Sequence, residues 1–131
     1  MPGAGSENDV VAATEEAEKA SEALRVAREE AEGAVSRMVN FEGEFALYQP
    51  RTPEDQKIID RMNIESMTAT RKRGNAVEAL VGAVKKLVKA KLEAATAEEV
   101  AELEENLGLN PSAQEQVLVD AMFQKELELF M

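Results

Sequence analysis

Four adjacent carboxylate pairs, Glu15-Glu16, Glu29-Glu30, Glu98-Glu99 and Glu104-Glu105, are the side chains in this sequence best suited to chemistry. Paired carboxylates can pass a proton in general acid/base catalysis or hold a divalent cation through several oxygens. Their ordinary place is a solvated helix face, and that is the reading adopted here. The chain has no histidine and no cysteine, which removes the commonest general base, the commonest metal ligand and every thiol nucleophile. The Glu-x-x-His ligand pairs of di-iron bundles cannot occur, and no glycine-rich phosphate loop or calcium-loop spacing is present. No catalytic residue, metal ligand or cofactor site is assigned, and the chain is expected not to be an enzyme.

Two basic groups, Arg71-Lys72-Arg73 and Lys85-Lys86 with Lys89 and Lys91, could contact phosphates. Against nucleic acid stand a formal net charge of −11, which repels a polyanion at long range, the lack of interleaved aromatics, and glutamate partners for Lys72 and Lys86 in the pairing derived below. Tyr48-Gln49-Pro50-Arg51 places the only tyrosine beside an arginine. Tyr48 and Arg51 are therefore candidate contacts for a partner protein, set against a plain exposed turn.

The elements that must carry these residues are helices. The 131 residues suit one domain, 1–131, and the 44% apolar content is alanine-rich with only 4% aromatic residues. Such a composition calls for a thin core of closely approaching helices. The absence of cysteine fits a reducing compartment. The opening Met1-Pro2-Gly3-Ala4-Gly5-Ser6 lacks the basic flank and apolar stretch of a cleavable signal peptide, and no run is long enough to span a membrane. A cytoplasmic protein, or part of an assembled particle, is expected.

Residues 1–8 read as a flexible tail, with Asn8 or Asp9 as N-cap of a first helix to about Ala46. Val10, Ala13, Ala17, Ala20, Leu24, Ala27, Ala31, Ala34, Met38, Phe41 and Phe45 recur at alternating steps of three and four, a coiled-coil seam. Between Asn40 and Tyr48 the residues also alternate like a short strand, but the seam phase continues through Phe41 and Phe45. Pro50 stops the helix, residues 47–52 form the hairpin tip, Thr52 caps the next helix and Pro53 suits its first position. The second helix, 53–94, has its own seam of Ile59, Met62, Ser66, Ala69, Arg73, Ala76, Leu80, Ala83, Leu87 and Ala90. Gly74 and Gly82 suggest a kink or a close crossing within it. Thr96 to Glu99 is a capping box opening a helix over 97–107 that Gly108 closes, and Asn110-Pro111 starts a last helix over 111–130. The expected fold is all-α: a long antiparallel alanine-rich coiled-coil hairpin, about 9–46 and 53–94, plus two shorter C-terminal helices.

Charge selects the register of the hairpin. Residues 1–50 carry −7, 51–93 carry +4 and 94–131 carry −8, so the middle segment attracts both flanks. In an antiparallel pair, layered positions add to a constant. A constant of 100 layers Val10 with Ala90, Ala13 with Leu87, Ala17 with Ala83, Ala20 with Leu80, Leu24 with Ala76 and Ala31 with Ala69. It also sets Glu16 against Lys86, Glu30 against Lys72 and Arg37 against Glu65. Slipping one heptad, to 107, replaces these with three repulsive pairs. Arg73 falls in the seam opposite Ala27 and is expected to reach out toward Glu30.

Outside the seam, Val77, Val81, Val84, Val88 and Leu92 form a second stripe. The C-terminal residues Val100, Leu103, Leu107, Leu109, Val117, Leu118, Ala121 and Met122 can cover it and complete a helical bundle. Phe123, Leu127, Leu129, Phe130 and Met131 then put apolar groups on more than one side of the last helix. Phe123, Leu127, Phe130 and Met131 are accordingly candidate contacts for another chain. The expected partner is protein, foremost copies of this chain, and not nucleic acid or a small-molecule substrate. Two roles follow: a structural subunit that self-associates into an oligomer, shell, virion or filament, or an adaptor or chaperone-like module binding another protein through the tip or the C-terminal helix.

Overall fold

The computed structural model describes residues 7–48, 52–110 and 114–131, with residues 42–48 described as backbone only. It contains four helices in chain order, α1 (Glu7–Tyr48), α2 (Pro53–Ala94), α3 (Ala97–Asn106) and α4 (Glu115–Phe130), and no strand among the described residues. The fold is all-α, and α1 and α2 pack against each other as an antiparallel hairpin. The segment with strand-like alternation is helical through Tyr48.

Local chemistry accounts for the boundaries. α1 starts at Glu7, ahead of the anticipated Asn8 or Asp9 cap, with Glu7 and Asp9 in a first turn whose partial positive charge favours acids. At α2 the Thr52 hydroxyl accepts from Asp55 N–H at 3.1 Å and the Asp55 carboxylate accepts from Thr52 N–H at 3.0 Å, a reciprocal cap with Pro53 in the first turn. Thr96 receives Glu99 N–H at 3.2 Å in the same way at α3. That helix ends where Gly108 takes φ 69°, with Leu109 N–H bonded to Glu104 O and Gly108 N–H to Glu105 O. This double closure needs the left-handed backbone that glycine adopts most readily. α4 begins at Glu115, later than Pro111, with extended Gln114 as N-cap and no side-chain cap bond.

The chain divides into two compact units, one of Met1–Ser21 with Glu78–Met131 and one of Glu22–Val77. The first, here the bundle unit, joins parts of α1 and α2 with all of α3 and α4. Ala13, Ala17, Ala83 and Leu87 form a buried cluster against which Val10, Ala20, Ala90 and Phe130 pack. These are the layers of the register that sums to 100. Lys86 Nζ lies 3.1 Å from Glu16 Oε1, a pair that the slipped register forbids. Val84 and Val88 of the second stripe are 0% and 1% exposed, and Leu118 and Met122 of α4 are buried. α4 is tied down further by an ion pair between Lys91 and Glu126, and by Ser21 Oγ–H donating to the Phe130 carbonyl. Val117, assigned from the sequence to the covering layer, is 45% exposed instead.

The second, or hairpin, unit holds parts of α1 and α2 alone. Among its described residues the buried ones are Leu24, Ala27, Ala31, Ala34, Ile59, Ser66 and Ala69, and Ala31, Ala34 and Ala69 cluster as the same register requires. Arg73 is exposed and makes no ion pair among the described residues, so it reaches solvent rather than Glu30. A Cβ added at Gly74 in this unit, or at Gly82 in the bundle unit, meets nothing within 4 Å. Neither glycine therefore marks a close helix crossing.

Candidate protein-interaction surfaces

Of the candidate contacts, Arg51 and the side chain of Tyr48 lie outside the described residues, as do residues 49 and 50 of the tip at 47–52. The structure places the other four on α4 and its C-cap. Phe123 is half-buried, with Lys85 Nζ 6.0 Å from its ring centroid, the outer range of a cation–π contact. Leu127 is half-buried, and its carbonyl accepts from Met131 N–H at 2.9 Å. Phe130 packs on the alanine cluster of its own chain. Only Met131 is largely open, at 51% exposure, beside Leu129 at 75%. α4 thus turns most of its large side chains inward and leaves one apolar end uncovered.

The hairpin unit carries a surface absent from the sequence reading. Ile64 and Met67 are each 65% exposed, and Val26, Val35, Val39 and Ile58 are exposed to lesser degrees. Ile64 and Met67 fall neither on the α2 seam nor on its second stripe, which is the signal that could have singled them out. Ile64 lines an open groove between α1 and α2, together with the small residues Gly33, Ala34, Thr68 and Ala69. On the α1 side Glu29 is paired with Arg25 of its own helix, and beside it Glu30 and Arg37 stand opposite Lys72 and Glu65 of α2. These are the two charge pairs set opposite each other by the register. Among the described residues none of the four closes an ion pair. The Arg37 guanidinium lies back along its own helix instead, 3.3 Å from the Cβ position of Gly33.

On the same helix Arg25 donates from Nε to Glu22 at 3.0 Å and from Nη1 to Glu29 at 2.8 Å. The hydrogen bond from Arg25 holds the exposed Glu22 carboxyl below its ordinary range, and Glu22 raises Arg25 in return. Long-range charge differs sharply between the units. The hairpin unit has 10 acids and 9 bases, a net of −1, and the bundle unit 16 acids and 6 bases, a net of −10.

Among the described residues no group of three acidic side chains gathers to hold a metal ion, and no helix is long and apolar enough to cross a membrane. What the arrangement offers chemically is apolar contact and charge pairing on helix faces. Comparison with known protein families, characterised proteins and solved structures gives no match to this chain.

Proposed function

We propose that this chain is a non-catalytic structural subunit that self-associates through its helical faces. The carrying observation is the uncovered apolar surface of the hairpin unit, where Ile64 and Met67 each keep 65% of their surface exposed. Large apolar groups held in water on a helix face gain free energy when another surface removes them from it, about 25 cal/mol per Å². The near-neutral charge of that unit supports the same reading, since the local surfaces that meet there repel each other far less than those of the bundle unit would.

Light scattering over a concentration series at moderate salt tests it. Assembly predicts a mass that rises to a defined multiple of 14.3 kDa. A mass fixed at 14.3 kDa over the whole series would sink the proposal.

The exposed end of α4 favours a second reading, an adaptor that binds a different protein through Leu129 and Met131. Truncating residues 123–131 is a poor test, because Glu126 and Phe130 hold α4 to its own chain. Leu129→Ser with Met131→Ser removes the apolar end and spares those contacts. The adaptor reading predicts loss of a pulled-down partner with this double variant and an unchanged mass in solution. A retained partner would count against it.

A further inference from the structure

The groove of the hairpin unit has an alternating pattern at its four corners. Glu30 and Lys72 stand at one end and Arg37 and Glu65 at the other, so that sign alternates both along each helix and across the groove, while the fifth charged residue of the lining, Glu29, is already paired with Arg25 of its own helix at 2.8 Å. Such a pattern is its own complement. When two copies meet face to face about a two-fold axis lying in the interface, each acid of one faces a base of the other. With the axis parallel to the helices, Glu30 meets the second copy's lysine and Arg37 its glutamate. With the axis perpendicular to them, Glu30 meets the second copy's arginine and Lys72 its glutamate. A simple translation of one copy along the other gives no such match.

We infer that this groove is a two-fold interface between two copies of the chain, with Ile64 of each copy supplying its apolar contact. This deepens the proposed self-association and rests on it. Three further observations support the second copy as the occupant. The corner charges make no ion pair within the chain among the described residues. Gly33, between Glu30 and Arg37 on α1, carries no side chain of its own, and the Arg37 group that lies over it is the end of a flexible side chain that can swing out toward a second copy. The unit itself has a net charge of only −1, so repulsion between the two meeting surfaces is weak although each whole chain carries −11. Closed two-fold dimers are also the commonest soluble assembly, and their interfaces must be self-complementary in this way. Two hairpins joined here put four helical segments around one contact.

Charge reversal tests the pairing in the full-length chain. Arg37→Glu alone creates like-charge contacts under either axis, and the dimer should weaken about tenfold or more by light scattering or sedimentation equilibrium. Reversing all four corners (E30K/R37E/E65K/K72E) keeps attraction within each chain and rebuilds the pattern with opposite signs. That variant should dimerise like the wild type and refuse to pair with it, read as two separate homodimers by native mass spectrometry with isotopic labelling. Should Arg37→Glu disturb folding, seen as lost helicity by circular dichroism, Ile64→Glu serves instead. It changes an exposed side chain and should also weaken the dimer about tenfold or more. If the wild type assembles but Arg37→Glu, folded, or Ile64→Glu leaves the assembly constant unchanged, the groove interface is overturned while self-association stands. Free mixing of the four-corner variant with the wild type overturns it equally. A wild type that stays monomeric throughout overturns both, and leaves the face to a different partner.

Discussion

The bundle unit and the hairpin unit follow one heptad rule and differ in what lies outside the seam. In the bundle unit the valines beyond it, Val84 and Val88, are almost wholly buried, and α4 contributes Leu118 and Met122 to the core. In the hairpin unit the apolar groups beyond it, Ile64 and Met67, remain largely in water. An alanine seam brings helices close and fixes their register, but alanine removes little apolar area from water, so stability depends on what a further layer adds. Amide hydrogen exchange should therefore be slower in α2 around Leu80 to Val88 than around Ile59 to Ala69. Equal protection in the two stretches would show that the extra layer adds nothing.

The largest effect should come from the layered core. Leu87 is 1% exposed within the bundle cluster, and Leu87→Ala should lower unfolding stability by about 3 kcal/mol through lost burial and a residual cavity, read by urea denaturation. In the hairpin unit, where Ala31 sits in an all-alanine cluster, the sharper probe is the opposite change. Ala31→Leu forces closely spaced helices apart and should cost about 2 kcal/mol. A leucine accepted there without loss would show that the seam is looser than its register implies.

Next in size is the tie that makes the bundle unit more than a hairpin. The Lys91 and Glu126 side chains are 36% and 15% exposed, so the pair is only partly screened. Glu126→Ala leaves a half-buried ammonium without its partner and should cost about 1–2 kcal/mol, between the values for exposed and buried pairs. The loss should appear first as faster amide exchange in α4. An unchanged α4 would mean that apolar contact alone holds it.

The register was legible because three independent signals agreed on it: the phase of small and large residues, the Glu16–Lys86 pair, and the position of Pro50, on which a register summing to 100 centres the turn. Caps were legible for a similar reason, since Thr52 with Asp55 and Thr96 with Glu99 each satisfy exposed backbone groups locally. The long-range charge pairs were less so. Glu30, Lys72, Arg37 and Glu65 are flexible side chains in water, where one pair is worth less than a kcal/mol and rotamer freedom competes with it. The inward side of α4 could not be read either, because its apolar residues surround the helix and only packing against Ala13, Ala17, Ala83 and Leu87 decides that Phe130 turns in. Ile64 and Met67 lie off both stripes of α2, so the periodicity that marks a core does not mark them.

A smaller test asks whether the hairpin unit tolerates stiffening. Gly74 lies within α2, and a Cβ there meets nothing within 4 Å. Gly74→Ala should stabilise by about 0.5–1 kcal/mol through helix propensity and lost unfolded-state freedom, as should Gly82→Ala in the bundle unit. If only the hairpin-unit variant gains, helix stiffness limits that unit more than the bundle unit, which would sharpen the difference between them.

The smallest effect concerns Glu22, on the surface of the hairpin unit. Its carboxyl is held below the ordinary value by the hydrogen bond from Arg25, so the folded state binds its proton less readily than the unfolded chain does. The resulting stability is present above the unfolded carboxylate value, about 4.3, and is lost as pH falls through the lower folded value. Glu22→Gln should therefore melt slightly below the wild type at about pH 6, with the difference closing toward about pH 3. Added salt should shrink it as well, because both side chains are more than half exposed and the pair is screened. A difference that persists unchanged at low pH would assign the effect to side-chain packing rather than charge, and would leave the hairpin unit stabilised by its seam alone.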